Sequence, residues 1–332
     1  MSGADFASLP EAVRALARAD VAPFARRFDD AGFVVDIPVE GVLTVTAAGP
    51  DPARPSVLLS VGVHGDETGP LEMVAHALDA LAHAPGELGV DLMVCVGNSA
   101  AIRAEKRFVD ADLNRMFRAN RGDLEGTAEA ARADALMAAT AAFFEAAGPA
   151  RWHLDLHTAI RASRYPRFAI VPEPIEAKAR ATLVGWLGAA GIQAVINNPA
   201  SGGTYSWWTS EQHGAAGATV ELGRVGTLGS NDLAQFAAAR AALDGLLRGR
   251  VDTSGPRPLV FATAQTLSKR SDAFCLTVGR DTENFTPLAR GAVIATDGDT
   301  TYTVGHDEEC IVFPNPDVRV GLRAGIMVVR LD

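Results

Sequence analysis

Cysteine is scarce in this 332-residue chain, which has only Cys95, Cys275 and Cys310, far apart and without a CxxC spacing. That excludes a disulfide framework and a cysteine-built zinc site, and it points to reduced, buried thiols in a cytoplasmic protein. No apolar run approaches the length of a membrane span, because the Ala-rich stretches carry charges at helical intervals. The opening MSGADFASLPEAVRALARAD lacks the basic segment followed by an apolar one that marks a secretory signal. Lys/Arg-rich runs are also missing and the formal net charge is −10, which argues against nucleic acid or an anionic membrane as partner. A small anionic substrate is not excluded, since a pocket can be locally cationic inside an acidic protein. HExxH does not occur, which removes one helix-borne zinc motif, and no solenoid repeat is present.

Apolar residues make up 48% of the chain and charged residues 21%, the balance of a globular protein with a sizeable core. Residues 9–28 have apolar positions at three- and four-residue spacing and predict one amphipathic helix; 34–47 reads as strand, turn, strand. Short apolar runs at 56–63, 90–98, 152–158, 168–172, 193–198 and 218–223 predict strands. Helical periodicity at 71–84, 127–147, 174–190 and 231–248 predicts the elements between them. Such alternation implies an α/β fold, a mostly parallel central sheet flanked by helices, with ligand sites at the carboxyl ends of the strands. The polar segment 248–258 reads as a linker between an α/β domain over 1–250 and a small β-rich domain over 255–332, with Asp297-Gly298-Asp299 as a hairpin tip.

Four groups can carry chemistry. His64 and Glu67 lie three apart on the turn after the first buried strand, and can aim a nitrogen and an oxygen donor at one centre; a polar turn is the blander explanation. In WHLDLHT, alternation puts His153, Asp155 and His157 on one strand face. A line of polar groups inside a core is costly unless they are paired or metal-bound. His157, at the strand end, is the better ligand, Asp155 suits a supporting hydrogen bond, and His153 reads as a satisfied core histidine. Arg107, Asn114 and Arg115 in RFVDADLNR can clasp a carboxylate, although a solvated loop is the commoner explanation. Glu221, alone in the apolar strand ATVELG, fits a general base with a raised pKa, against the alternative of an edge residue facing solvent. His76, His83, His213 and His306 are assigned no metal role.

Together GVHGDETGPLE, RFVDADLNRMF, WHLDLHTAIR and GATVELG, with the downstream NDLAQFA, DTENFTPLARG and VFPNPDVRVGLRAG, resemble the succinylglutamate desuccinylase/aspartoacylase family. Their order of ligand, clamp, ligand and base is also that of zinc carboxypeptidases. The resemblance runs from about residue 56 to the C-terminus. It implies a zinc-carboxypeptidase-like fold and one Zn2+ per subunit, bound by His64, Glu67 and His157. It also implies Glu221 as general base, Arg107 facing the scissile carbonyl, and Asn114 with Arg115 holding a substrate carboxylate. The implied reaction is hydrolysis of the succinyl amide of N2-succinylglutamate, a step of arginine catabolism; the alternative is another N-acyl acidic amino acid such as N-acetylaspartate. Such a substrate carries three carboxylates, so Arg161 and Arg164 are expected in the pocket and Arg167 on the surface. The stretch 202–208 is a candidate pocket wall, and the β-rich tail a cover for the site's mouth.

Overall fold

The computed structural model describes residues 6–49 and 51–331. Residues 1–5, where the stretch read as signal-free begins, lie outside the described residues, as do Pro50 and Asp332. The helix expected over 9–28 is two, α1 (Glu11–Ala17) and α2 (Ala22–Asp30). Between them Ala19 adopts a left-handed conformation with φ 58°, and the Asp20 carboxylate accepts from the Ala22 amide. Pro23 opens α2 and has no amide with which to continue the preceding hydrogen-bond ladder.

The remainder of the α/β region follows the alternation expected. An antiparallel pair, β1 (Val34–Asp36) and β2 (Val42–Thr46), leads to β3 (Ser56–Val61), α3 (Thr68–His83), β4 (Asp91–Val96), a short α4 (Ser99–Arg103) and α5 (Ala128–Glu145). Then come β5 (Arg151–Ala159), β6 (Phe168–Pro172), α6 (Ala177–Ala189), β7 (Ala194–Asn198), α7 (Tyr205–His213), β8 (Ala216–Arg224) and α8 (Ala237–Leu247). The linker 248–258 carries no regular element. The C-terminal β region consists of β9 (Leu259–Ser268), β10 (Cys275–Leu276), β11 (Thr286–Ala289), β12 (Val293–Asp297), β13 (Thr300–Thr303), β14 (Glu308–Val312) and β15 (Arg323–Arg330). Gly298, with φ 58°, turns the β12–β13 hairpin at the expected tip.

One twelve-stranded sheet runs β1-β2-β4-β3-β5-β8-β6-β7-β9-β15-β14-β11, beside a small sheet β10-β12-β13. It is mixed: four of the seven pairings within the α/β region are parallel, and the pairings among the tail strands are antiparallel. Strands β4-β3-β5-β8 and β6-β7-β9 are parallel, whereas β1-β2-β4, β8-β6 and the tail strands are antiparallel. The 160–167 connection has no helix to return the chain for a parallel crossover, so β6 comes back antiparallel to β8. The tail is continuous with the main sheet through the β7–β9 pairing, from Ala194↔Leu259 to Asn197↔Ala262.

Side-chain alternation divides the two faces. Val57, Leu59, Leu154, Leu156 and Val220 pack under Leu16, Leu78, Leu187 and Leu243 from α1, α3, α6 and α8. Leu58, Met93 and Cys95 face Leu136 and Phe144 of α5 and Tyr205 of α7. Each such buried Leu or Val contributes roughly 1.5–3 kcal/mol. The polar line Ser60, His153, Asp155 and His157 runs along this second face. Of the three thiols expected to be buried, Cys95 is buried, Cys310 is partly so, and Cys275 is exposed on the short β10 at the edge of the small sheet. No helix among the described residues is long and apolar enough to cross a membrane.

Candidate metal centre

Strand β5 supplies the first half of the site. His153 is enclosed completely, its Nε2 2.9 Å from Ser60 Oγ and its Nδ1 2.8 Å from Thr209 Oγ1. Burial pushes its pKa down to about 4, with Asp155 opposing, so it is the neutral core histidine expected. Ser60 also donates to Asp155 Oδ1 at 2.5 Å, and Asp155 Oδ2 lies 3.0 Å from His157 Nε2. The other His157 nitrogen, Nδ1, is 2.8 Å from Glu67 Oε2.

The second half comes from loops. After β3 the chain turns through His64-Gly65-Asp66-Glu67 into α3. A Cβ on Gly65 would meet the backbone of Ala101 and Ile102 at 2.4 Å, so only glycine lets this turn lie so close to α4. His64 Nδ1 is 2.9 Å from Glu67 Oε1, and its Nε2 is 2.9 Å from Asp112 Oδ1. One donor atom each from His64, Glu67 and His157 lie within 4.8 Å of one another, all buried.

Both imidazoles thus turn Nδ1 toward Glu67 and give Nε2 to a carboxylate, Asp112 or Asp155. Metal-ligating histidines are commonly oriented in this way. Burial acts to depress both histidine pKa values, but the carboxylates outweigh it: Glu67 first for His64, Asp155 and then Glu67 for His157, so both stand raised. Glu67 is held well below the usual carboxylate range; burial opposes this, and the two imidazoles overcome it. The cluster favours positive charge at its centre, and a divalent metal can take the place of the protons. The donor set fits such an ion.

Glu221 stands opposite His157 in the β5–β8 register. It is buried and its Oε2 has no partner. Burial, reinforced by the charge of Glu67, pushes its pKa up to about 7, the environment expected of a general base.

Arg107 also reaches the cluster, with Nη1 2.7 Å from Glu67 Oε1 and Nη2 3.2 Å from His64 Nε2. Asn114 is buried and committed internally: Nδ2 donates to Asp155 Oδ2 at 3.3 Å, and Oδ1 accepts from the Tyr205 amide at 2.9 Å. Arg115 donates one N–H to the Asn114 carbonyl at 2.6 Å.

Arg161 and Arg164, expected in the pocket, both lie against the C-terminal region. Arg161 lines a cavity of about 260 Å³ where β5 and β8 end, together with Arg167, Gly223 and Arg224. Its guanidinium, however, donates to the carbonyls of Arg280, Thr282 and Pro314 in the C-terminal region. Arg164 is exposed, and its charge acts on Cys310 of β14. A cluster of arginines in sequence does not fix where the side chains turn once the chain leaves its strand. Arg167, expected on the surface, is partly buried and donates through Nε to the Gly191 carbonyl. The 202–208 stretch runs into α7, where Tyr205 and Trp207 are buried core residues.

Two residues escaped the sequence reading. Asp112, which orients His64, also caps the turn Leu113–Arg115 by accepting from the Asn114 amide at 2.9 Å; an acidic residue two before the asparagine was the available signal. Glu129 is the other. Its buried carboxylate accepts from Asn98 Nδ2 and from the consecutive amides of Val109, Asp110 and Ala111 at 2.7–3.1 Å. It thereby holds the loop that carries Arg107 and Asp112, and amide partners leave no trace in a sequence.

The chain is similar to known proteins over most of its length. A family model described as the succinylglutamate desuccinylase/aspartoacylase catalytic domain matches residues 53–247, and the barrel-sandwich hybrid domain of the same family matches 256–331. A succinylglutamate desuccinylase of Burkholderia lata is 49% identical over 282 residues, 84% of this chain and 80% of that protein. Crystal structures of succinylglutamate desuccinylases are similar too. That from Vibrio cholerae has a TM-score of 0.83 at 31% identity, covering 91% of this chain and 88% of that one. That from Chromobacterium violaceum has a TM-score of 0.78 at 33% identity, covering 93% and 98%. The chain belongs to the succinylglutamate desuccinylase/aspartoacylase family.

Proposed function

We propose that this chain hydrolyses the succinyl amide of N2-succinylglutamate to succinate and glutamate, with one zinc ion held by His64, Glu67 and His157. One observation carries the reading: three buried donors converge beside the unpaired carboxylate of Glu221. The Burkholderia lata relative, named for this substrate, supports it. Residues 1–250 then form the catalytic unit, of zinc-carboxypeptidase type, and 255–332 its β-rich companion.

Bound there, zinc would lower the pKa of a water and polarise the amide carbonyl. The protein's own groups do the rest. Glu221, its affinity for a proton raised by burial, removes a proton from the attacking water and returns it to the departing glutamate nitrogen. Arg107, already at the cluster, turns its guanidinium to the oxygen on which negative charge develops. Asp112 and Asp155 keep the two imidazoles aimed. Arg115 takes a substrate carboxylate, with Asn114 fixing the backbone from which it projects.

The test is metal analysis combined with a substrate panel of succinylglutamate, succinylornithine, acetylaspartate and acetylglutamate. Stoichiometric zinc and a preference for succinylglutamate are expected. A preference for acetylaspartate would replace the substrate, and absence of bound metal would remove the mechanism.

A further inference from the structure

Arg323 opens β15, at the end of the C-terminal β region that touches the candidate site. Two contacts join that region to the loops of the site. Arg319 Nη2 donates to the Asp110 carbonyl at 3.5 Å, and Arg161, just beyond His157 in sequence, donates to the Pro314 carbonyl at 2.7 Å. The Arg323 guanidinium carbon lies 6.0 Å from the centre of the Phe313 ring. The charges it feels are those of Arg115 and of Asp112, the carboxylate that orients His64. Among the described residues no carboxylate forms an ion pair with Arg323 or Arg115. Asp112 is occupied by His64, and Arg115 gives an N–H only to a carbonyl.

Burial and then the like charge of Arg115 push the Arg323 pKa down to about 9, so the group is still protonated at neutral pH. Two partly enclosed guanidinium groups of the same sign repel each other until an anion enters between them, and their planar forks match carboxylate oxygens. The proposed substrate has three carboxylates, and the Arg161 guanidinium is given to backbone carbonyls of the C-terminal region.

We infer that Arg323 binds a substrate carboxylate beside Arg115, so that the C-terminal β region contributes directly to specificity. The inference rests on the desuccinylase reading and names a residue of that same site.

The experiment compares wild type, Arg323→Gln and Arg323→Lys on succinylglutamate and on three analogues that each lack one carboxylate. These are N-propionylglutamate, N-succinyl-2-aminobutyrate and N-succinyl-4-aminobutyrate. Arg323→Gln is expected to lower kcat/KM for succinylglutamate about 10- to 100-fold, mainly through KM, with Arg323→Lys recovering part of the loss. For the analogue that lacks the bound carboxylate the loss shrinks to less than about 3-fold, the difference being the lost charge-assisted hydrogen bonds. Equal losses on all four substrates, the signature of a merely structural role, overturn the inference, as does no loss on succinylglutamate. Absence of wild-type turnover sinks the desuccinylase reading separately. Calorimetry of succinate and of glutamate binding to the zinc-loaded protein then decides Arg323 alone, and unchanged affinity for both in Arg323→Gln overturns it.

Discussion

The two histidines of the candidate centre are held in the same way by different kinds of structure. His157 projects from β5, hydrogen-bonded on both sides within a sheet, and its supporting Asp155 is wholly buried. His64 projects from a turn, and its supporting Asp112 belongs to a second loop and keeps 23% of its side chain exposed. The strand half is positioned by the fold itself. The loop half depends on particular anchors: Gly65 against α4, and Glu129 gathering three successive amides. Removing the carboxylate that supports His157 therefore costs folding stability as well as metal affinity, whereas removing the one that supports His64 costs metal affinity alone.

Glu221, on the strand side, gives the largest effect. Glu221→Gln is expected to lower kcat by roughly 10²- to 10⁴-fold with zinc content unchanged; near-normal kcat removes it from the general-base role. In the metal-free protein the same substitution stabilises. A carboxyl whose pKa rises to about 7 on folding resists ionisation in the folded state. Its penalty is absent below about 4.5, grows as pH rises, and is complete above about 7, reaching on the order of 3 kcal/mol. Denaturant unfolding at pH 5 and pH 8 measures it, and a stability difference independent of pH contradicts the assignment.

The paired carboxylates test the comparison directly. Asp155→Asn and Asp112→Asn are each expected to weaken zinc binding about 10- to 100-fold. Only Asp155→Asn, which leaves a buried network short of its charge, should also cost about 3–5 kcal/mol of stability. Equal stability losses in the two variants break the distinction between strand and loop. Glu129→Gln gives the smallest effect, about a tenfold fall in kcat/KM, since an amide nitrogen would confront backbone N–H donors that the carboxylate now satisfies. Kinetics beside a thermal melt check this, and unchanged kcat/KM shows that the loop holds itself.

Legibility in the sequence follows the same line. Alternation along β5 is periodic, so the shared face of His153, Asp155 and His157 could be read from residue types. The isolated Glu221 was visible for a related reason, a charge in an apolar run. The loop half has no period. Asp112 and Glu129 act on an imidazole and on backbone amides brought near only by folding, and Arg161 turns toward carbonyls more than a hundred residues away. The mixed sheet escaped for another reason: hydrophobic runs show that strands are buried but not which way they point.

The β7–β9 ladder carries a practical consequence. It joins the two regions into one hydrogen-bonded surface, and Phe168 and Ile196 share a cluster with Phe261 and Ile326. Cutting the chain at the linker would strip β7 of a neighbour and leave a raw strand edge beside exposed aromatic surface, the kind of margin that recruits other chains. The C-terminal region cannot be treated as a detachable cover, and a truncated protein is expected to clump before it can be assayed.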